Sequence, residues 1–467
     1  MFSLTMLPPA FVSWLFEDGV SIIFVDTFAM TLGAGIVLWG LFRNNTQEMR
    51  TKDGFLITFM FYMALGTFGA IPLAQSAGIS LSWPDALFES FSGLTTTGAT
   101  VITGIDLLPE SILFYRQQLQ WLGGMGIIVL AVAILPMLGI GGMQLYRAET
   151  PGPVKDSKLT PRIKQTALAL WSIYCGLTLV CAFAYWVAGM SGFDAICHSF
   201  STVAIGGFST HDASIGYFDS AAVEAVAIFF MVLAGINFGL HFYAFQERSI
   251  AHYFKDDEVR FYLSMLIAAS VIVAVILVST QTYGTFDSVR YALFEVVSIF
   301  TTTGFSTADF TVWPSMAPYL IFFGAFTGAC AGSTGGGMKV MRVMLICKQG
   351  LREIDRLIHP NAIFPIKLNR KPVTGNIIDA VWGFFSIYVI VFLIMLLMLI
   401  ATGMDFITAF SAVGATINNL GPGLGDVAYH YSDIEDSAKL ILCFAMMLGR
   451  LEIFTLLVLF SPMFWRK

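Results

Sequence analysis

The amino-acid sequence predicts an all-α, polytopic membrane protein in which four similar helical units follow an N-terminal helical hairpin. Composition is the first reason: 57% of the 467 residues are hydrophobic and only 12% are charged, whereas a soluble domain carries about 25% charged residues. Long stretches almost free of charge are the second reason, and a Thr- and Gly-rich segment that occurs four times is the third. A soluble protein with large cores does not accommodate so little charge.

The apolar stretches are candidate membrane spans, and most of them reach the length of about 20 residues that a spanning helix needs. They are Ser21–Leu41, Phe55–Ala74, Trp121–Gly142, Gln165–Met190, Ala221–Phe245, Tyr262–Thr280, Pro318–Ala331, Ala380–Gly403 and Leu440–Phe460. The stretch Met1–Phe16 precedes them, is broken by Pro8-Pro9 and is too short to span the membrane. We therefore expect the first helix of the N-terminal hairpin to be truncated.

The chain divides into the hairpin, residues 1–52, and four units at 53–160, 161–257, 258–372 and 373–467. Each unit contains an apolar helix, a short apolar segment, a Thr/Gly turn and a second apolar helix. The Thr/Gly turns are Leu94–Thr100, Ala204–Thr210, Thr301–Thr307 and, in degenerate form, Ala415–Gly421. This repetition predicts four units of the same architecture.

The spacing within the units is regular in three of them. Twelve residues separate an alanine from a glycine in Ala86–Gly98, Ala195–Gly207 and Ala292–Gly304. In the fourth unit the same count from Phe406 reaches Asn418, and the nearest glycine is Gly421. The fourth turn is therefore predicted to differ from the others.

The short segments that begin at Asp85, Asp194, Tyr291 and Asp405 predict re-entrant helices. Each has only about half the length of a span, and irregular backbone at membrane depth survives only when it is buried in protein or lines a water-filled cavity. The C-terminal end of a helix carries partial negative charge, which favours a cation. We therefore expect four helix–pore-loop–helix units around a central ion pore.

Backbone carbonyl oxygens in such turns would form a ring that replaces the water around a monovalent cation. Glycine permits the backbone dihedrals that this requires, and threonine hydroxyls add ligands or brace the loop. The alternative is that these are glycines of helix packing, which are common in membranes. The candidate ion-binding filter residues are Thr96, Thr97, Gly98, Ile205, Gly206, Gly207, Thr302, Thr303, Gly304, Ile417, Asn418 and Asn419.

Charge distribution predicts the orientation, because cytoplasmic loops are enriched in Lys and Arg. The loops after Leu41, Met143, Phe245 and Val343, with the C-terminus, hold most of the basic residues. The opposite loops hold only Arg116, Arg290 and Lys439, together with many acidic residues. The first set is predicted to be cytoplasmic, and the acidic side would raise the local concentration of cations.

Several motifs together resemble the Trk/Ktr/HKT superfamily of potassium transporters, and within it the bacterial Trk uptake subunits. The motifs are Thr95–Ala99, Gln120–Gly126, Gly139–Arg162 (GIGGMQLYRAETPGPVKDSKLTPR), Gly206–Thr210, Thr302–Thr307, Gly328–Lys339 (GACAGSTGGGMK), Asn418–Gly423 and Gly449–Glu452. The resemblance implies a pseudo-symmetric pore for potassium in the bacterial inner membrane, a homodimer and a cytoplasmic nucleotide-binding regulatory subunit of the TrkA type. Potassium would be the transported ion, and a nucleotide is expected only on the partner.

A gate is predicted where glycines interrupt a helix of the third unit, since each interior glycine costs a helix about 1 kcal/mol relative to alanine. By resemblance, the gate residues are Gly332, Ser333, Thr334, Gly335, Gly336, Gly337, Lys339 and Arg450. A phosphate-binding loop is excluded, because Val340 follows Lys339 and no strand precedes the run. A charge such as Arg450 in an apolar helix costs free energy, so a side chain that faces lipid is not expected. The alternative to a role in the gate is a salt bridge between Arg450 and a buried carboxylate. Lys339 could instead extend its ammonium group to the cytoplasmic surface.

The sequence has two alternative interpretations, a sodium pore and an intramembrane enzyme. A sodium-permeable or sodium-coupled pore of the same fold stays open, because a fourth filter segment without glycine weakens the argument for potassium. An intramembrane enzyme is disfavoured, since the spans contain no paired acids, no Ser–His–Asp set and no metal-ligand spacing. Glu89, Glu295 and His198 are predicted to form hydrogen bonds behind the filter. No covalent cofactor and no nucleic-acid partner are expected, and lipids surround the spans.

Overall fold

Residues 2–44, 51–76, 81–129 and 163–466 are described by a computed structural model of the chain. Their α-helices are α1 Leu7–Phe16, α2 Ser21–Phe42, α3 Thr51–Gly69, α4 Ile71–Gln75, α5 Trp83–Leu94, α6 Glu110–Val129, α7 Ile163–Val187, α8 Gly192–Ala204, α9 Ala221–Ala234, α10 Phe238–Gln246, α11 Ala251–Lys255, α12 Asp257–Ser279, α13 Thr285–Phe300, α14 Ala317–Thr327, α15 Val340–Ile358, α16 Gly375–Ala401, α17 Phe406–Ile417, α18 Asp436–Arg450, α19 Ile453–Leu457 and α20 Pro462–Trp465. Strands β1 Lys367–Leu368 and β2 Lys371–Pro372 form an antiparallel hairpin. Short 3-10 turns lie at Phe2–Met6, Ile105–Leu107, Ser214–Phe218, Phe310–Val312, Gly425–Val427 and Val458–Phe460.

The prediction of a polytopic, all-α membrane protein is confirmed. Within the described residues, five helical stretches are long and apolar enough to cross a membrane, and two bent helix pairs bring the number to seven. Their outward faces carry large exposed apolar side chains, such as Leu179 on α7 and Leu397 on α16, as lipid contact requires. The boundary between the first two predicted units and the whole of the predicted motif at 139–162 lie outside the described residues.

Two predicted spans are wrong as single helices. The stretch Ala221–Phe245 bends by 93° between α9 and α10, and the stretch Leu440–Phe460 bends by 113° between α18 and α19. At the first bend Asn237 caps the new helix by accepting a hydrogen bond from the Gly239 amide. At the second, Glu452 adopts a left-handed φ of 60°. Hydropathy did not indicate either bend, because the apolar composition continues through both.

A third prediction placed a span at Trp121–Gly142, whereas the helix begins eleven residues earlier, at Glu110. Its first eleven residues contain Arg116, Gln117 and Gln120, which are polar and yet completely or almost completely buried. Their hydrogen-bond partners lie on other elements. Polar residues that are satisfied across the fold lower the hydropathy of a helix without ending it.

Four short helices, α5, α8, α13 and α17, are the predicted re-entrant helices, and they contain 12, 13, 16 and 12 residues. Side-chain caps start three of them: Ser82, Ser191 and Asp405 each accept a hydrogen bond from an amide of the first turn. All four end within buried surroundings. They are therefore helices shorter than a span whose C-terminal ends point into the protein, and α13 begins at Thr285, six residues before the predicted start at Tyr291.

Packing between the units closes a circle. Helix α6 packs on α8, α9 packs on α13, and α13 packs on α14. Phe322 and Phe326 of α14 meet Phe410 of α17 through their rings. Helix α17 packs on α18, which packs on α5 and so returns to the first unit. The four short helices consequently surround one axis.

Candidate ion filter and gate

Four glycines in left-handed backbone conformation follow the four short helices. Gly98 has φ of 80°, Gly207 of 80°, Gly304 of 83° and Gly421 of 94°. Glycine occupies this region without steric cost, whereas other residues are strained there. The sequence therefore needs glycine at these four positions for a backbone reason.

The same four glycines lie against backbone carbonyls of neighbouring units. A Cβ atom built on any of them would come within 3.0 Å of a carbonyl oxygen of the next segment, which is closer than real Cβ atoms approach. The pairs run in order around the axis: Gly98 with the Gly206 oxygen, Gly207 with the Thr303 oxygen, Gly304 with the Leu420 oxygen, and Gly421 with the Thr97 oxygen. The four segments thus form a closed ring in chain order.

A second set of positive φ angles fixes the register of the ring. Thr96, Ile205, Thr302 and Asn419 have φ of 53°, 54°, 67° and 53°, although a non-glycine residue in this region costs about 1–2 kcal/mol. Each precedes the ring glycine by two residues. We name the four equivalent stretches the filter segments: Thr95–Gly98, Ala204–Gly207, Thr301–Gly304 and Asn418–Gly421.

The fourth filter segment corrects the spacing argument. Asp405 is the N-cap of α17 and is equivalent to the cap Ser82, not to Asp85 as its sequence context indicated. Counting from Ala409 instead gives the same twelve residues to Gly421 that separate Ala86 from Gly98. Leu420 and Gly421 therefore belong to the ring, although the predicted set of filter residues omitted them, and Ile417 is the last residue of the helix.

Different side chains brace each filter segment from behind. Hydroxyl pairs hold the first and third: Thr95 with Thr97 at 2.8 Å, and Thr301 with Thr303 at 2.7 Å. In the second, Gln120 of α6 donates to the Gly206 oxygen at 2.5 Å and accepts from the Phe208 amide at 3.1 Å. A carbonyl oxygen has two lone pairs, so this bond leaves one free.

The fourth filter segment is braced by its asparagines. Asn418 accepts a hydrogen bond from the Tyr388 hydroxyl at 2.8 Å. Asn419 donates to the Thr97 hydroxyl at 3.0 Å and to the Met446 carbonyl at 2.9 Å. The side chain of Asn419 therefore links the fourth segment to the first and closes the circle on its outer side. Neither Gln120 nor Asn419 was assigned this role from the sequence.

Three polar residues of the short helices hold the stretches that follow the first three filter segments. Glu89 accepts from the Val101 amide at 3.0 Å, and His198 lies 2.9 Å from the Ser209 hydroxyl. Glu295 accepts from the Thr307 amide at 2.7 Å. The prediction that these residues form hydrogen bonds behind the filter is confirmed.

The glycine-rich run of the third unit is not helical: α14 ends at Thr327 and α15 begins at Val340. This stretch contacts three filter regions. The Gly336 amide donates to the Thr302 hydroxyl at 2.7 Å, and the Gly337 amide donates to the Asn418 carbonyl at 3.1 Å. The Thr334 hydroxyl donates to the Val203 carbonyl at 3.0 Å. The loop therefore lies directly against the C-terminal ends of the short helices.

Arg450 completes this arrangement. Its guanidinium is 2% exposed and donates to the Thr334 carbonyl at 2.9 Å and to the Gly123 carbonyl at 3.0 Å, so it joins the loop to the first unit. Among the described residues no carboxylate pairs with Arg450, and Glu452 pairs with Arg342 at 3.0 Å instead. Lys339 donates to the Gly335 carbonyl of the loop. Lys339, Arg450 and the loop line one cavity.

On the opposite side of the ring, the three basic residues of the predicted outer loops are all paired. Arg116 lies 2.8 Å from Glu89, Arg290 lies 2.7 Å from Glu224, and Lys439 lies 2.6 Å from Asp85. These ion pairs hold the short helices and neutralise the positive charges. Many acidic residues nearby, among them Asp309, Asp426 and Asp433, have no ion pair within the described part of the chain. The mouth is therefore electronegative, which attracts cations.

His211 joins the loops that follow the first two filter segments. Its Nδ1 lies 2.5 Å from Asp106 Oδ1, its Nε2 lies 3.6 Å from Asp194 Oδ1, and its ring stacks on Tyr217 with centroids 3.5 Å apart. Partial burial lowers the pKa of His211, but the nearby carboxylates of Asp194 and Asp106 outweigh it and raise the pKa above the ordinary value. Protonated His211 is thus a bridge between two loops at the mouth.

We expect His211→Gln to destabilise the protein in a pH-dependent way. The pKa is higher in the folded state, so the contribution is fully present below the unfolded pKa of about 6.5 and is lost as the pH rises through the folded pKa. Thermal unfolding of the unmodified protein and the variant in detergent, at mildly acidic and alkaline pH, measures this difference. The gap in melting temperature should be larger in acid. A difference in melting temperature that does not change with pH would contradict a contribution from the charge of His211, and only its stacking on Tyr217 would then remain as a stabilising contact.

Known proteins resemble this chain in sequence and in fold. The family model described as "TrkH: Cation transport protein" matches residues 21–467. The chain is 60% identical over 467 residues to the Trk system potassium uptake protein TrkH of Halomonas elongata and 52% identical over 468 residues to that of Escherichia coli K12, and each alignment covers 100% of this chain and 97% of the relative. The crystal structure of the potassium transporter TrkH from Vibrio parahaemolyticus superposes with a TM-score of 0.92 at 52% identity, over 100% of this chain and 97% of that one.

Proposed function

Because this chain belongs to the TrkH family of cation transport proteins, we propose that it takes up potassium across the bacterial inner membrane through the ring of filter segments. The chain is a multi-pass membrane protein and a transporter rather than an enzyme. Relatives at 52% and 60% identity are named potassium uptake proteins. The ion would lose its hydration water at the ring and pass into the cavity beneath it.

The proposal rests on one observation. Each ring glycine lies against a carbonyl oxygen of the next filter segment, and the four contacts close a ring around the axis. A ring of backbone oxygens replaces the hydration shell of a monovalent cation. Gly421 occupies the ring position in the fourth segment, so every segment contributes a glycine. Part of the argument for the sodium alternative is the apparent absence of that glycine, and Gly421 supplies it.

The loop Gly328–Lys339 and Arg450 form the gate in this proposal. They line the cavity next to the fourth filter segment. The loop is bonded to the second, third and fourth units, and Arg450 joins it to the first. A positive charge beside a cation path raises the barrier to passage. Opening requires that the bonds of Arg450 to Thr334 and Gly123 break.

The proposal includes a homodimer and a cytoplasmic nucleotide-binding regulatory subunit of the TrkA type, in keeping with the words "Trk system" in the names of the relatives. The basic loops and the C-terminus would face that subunit, because positive charge favours the cytoplasmic side. Helix α15 continues directly from the gate loop, and Leu345 of α15 and Leu368 of β1 share a buried cluster with Ala331 of the loop. These elements would connect a cytoplasmic partner to the gate.

Rubidium uptake into liposomes that contain the purified protein tests the proposal. Uptake should exceed that of protein-free liposomes and be reduced by potassium far more than by sodium at equal concentration, since the ring replaces the hydration shell of the larger ion. Addition of a TrkA-type subunit with nucleotide should change the rate. Equal competition by sodium and potassium would contradict the potassium assignment, and no uptake with or without the regulatory subunit would contradict the transport function.

A further inference from the structure

Glu295 of α13 is a fully buried carboxyl group whose two oxygens differ sharply. Oε1 accepts hydrogen bonds from the Thr307 amide at 2.7 Å, the Ala308 amide at 3.1 Å, the Thr307 hydroxyl at 3.2 Å and the Ser306 hydroxyl at 3.5 Å. Oε2 is buried and has no hydrogen-bond partner in the described part of the chain. One oxygen thus holds the backbone that follows the third filter segment, and the other is unoccupied.

Glu89 occupies the equivalent position in the first unit, because both residues precede their ring glycine by nine positions. Its charge is neutralised by Arg116 at 2.8 Å, and the guanidinium of Arg116 also lies 4.2 Å from the centre of the Phe208 ring. Glu89 and Glu295 perform the same clamping with their oxygens. They differ in that, within the described residues, Glu89 pairs with a cationic side chain and Glu295 does not.

The groups around Glu295 supply no positive charge in the described structure. Arg290 on the same helix is bound to Glu224 by two bonds of 2.7 Å and to Asp219 at 3.3 Å. Glu224, on α9, is itself acidic and acts against a second negative charge nearby. The His198 ring of α8 lies 6.1 Å from the Phe305 ring between centroids, and both of its nitrogens have other partners.

A buried carboxylate without a cation is strongly disfavoured, and such a group binds a proton instead. Protonation leaves Oε1 free to accept its four hydrogen bonds and converts Oε2 from a bare charge into a neutral hydroxyl. An unpaired neutral hydroxyl is far less costly than an unpaired buried charge. The geometry of the clamp is therefore compatible with the neutral acid and not with the ion.

We propose that Glu295 carries a proton in the working transporter and, as a neutral acid, positions the backbone behind the third filter segment, in the place where the first unit uses the ion pair of Glu89 and Arg116. The inference rests on the proposed filter function. It assigns to Glu295 a positioning role through Thr307 and Ala308, without contact to the transported ion. It also makes the third segment sensitive to alkaline pH, at which the proton is lost.

Three variants in liposomes separate the neutral from the charged clamp. Glu295→Gln has the shape of the protonated acid and should keep rubidium uptake at neutral pH within about twofold of the unmodified protein. Glu295→Ala loses all four hydrogen bonds, and its uptake should fall about tenfold. Glu89→Gln is the matched control at the equivalent position and should also fall about tenfold, because it leaves buried Arg116 without its counter-ion. Uptake by the unmodified protein should decline at alkaline pH, and Glu295→Gln should decline less.

Infrared difference spectroscopy of the full-length protein supplies a readout independent of transport. The carbonyl stretch of a carboxylic acid should be present in the unmodified protein at neutral pH and absent in Glu295→Gln. A missing acid band, a Gln variant as inactive as the Ala variant, or identical pH profiles would each overturn the proposal. If the unmodified protein showed no uptake, the filter function would fail, and the infrared band would still decide the protonation of Glu295.

Discussion

Replacing Gly98 with alanine is expected to lower rubidium uptake by about a hundredfold or more, since displacements of about 1 Å in an aligned site have effects of this size. The new Cβ would come within 3.0 Å of the Gly206 carbonyl oxygen, which belongs to the second filter segment. The backbone at φ of 80° would also be strained for alanine. Both effects push the first and second segments apart at the ring.

The matched control for this substitution is Gly176→Ala on the lipid-facing helix α7. No atom lies within 4 Å of the position that its Cβ would take, and alanine favours a helix more than glycine by about 1 kcal/mol. Uptake by this control should stay within about twofold. Gly304→Asp should behave like Gly98→Ala, with both proteins inserted in the membrane and monodisperse on size exclusion. Unchanged uptake in Gly98→Ala would contradict the ring.

Replacing Arg450 with alanine is expected to raise rubidium flux in the absence of a regulatory partner by about tenfold, the effect of removing about 1.4 kcal/mol from the barrier. The substitution deletes the two hydrogen bonds that join the gate loop to the first unit. It also removes a buried positive charge beside the cation path. Flux into liposomes without added nucleotide measures the change.

A shortened gate loop, with Gly335–Gly337 deleted, should change flux in the same direction as Arg450→Ala. Arg450→Lys serves as the matched control: it keeps the charge but not the geometry of two separate donors, and it should raise flux less than alanine does. A lower flux in both Arg450→Ala and the deletion would show that these residues support the fold and do not close the pore.

Much of the architecture followed from local patterns in the sequence. Apolar length predicted the spans, and the Thr/Gly turns predicted the four half-length helices. The break in the third unit was visible because glycines such as Gly335 and Gly336 follow one another closely. These features depend on the composition of short windows, which is why a single sequence sufficed to predict them.

The fourth filter segment could have been found from the sequence with a different starting residue. The interval from Ala409 to Gly421 equals that of the other units. The sequence context of Asp405, however, is similar to that of Asp85 and indicates the wrong alignment. Asp405 is a helix cap, and aspartate suits both a cap and a first helical turn. Residue type alone did not distinguish these two positions.

Other features depend on contacts between distant parts of the chain. Gln120 reaches the Gly206 carbonyl across 86 residues, and Asn419 reaches the Thr97 hydroxyl across 322 residues. The bends at Asn237 and Glu452 arise inside continuous apolar sequence. None of these has a local signal, because the side chains are placed by the closure of four units around one axis.

The most direct test of the ring is the position of the ion itself. A crystal structure of this protein grown or soaked with rubidium should give an anomalous difference peak on the axis, enclosed by the carbonyl oxygens of Thr97, Gly206, Thr303 and Leu420. The peak should weaken when potassium is added in excess and persist in excess sodium. A peak confined to the acidic mouth, or a peak at the level of Ile417 with none between the four ring carbonyls, would contradict the account.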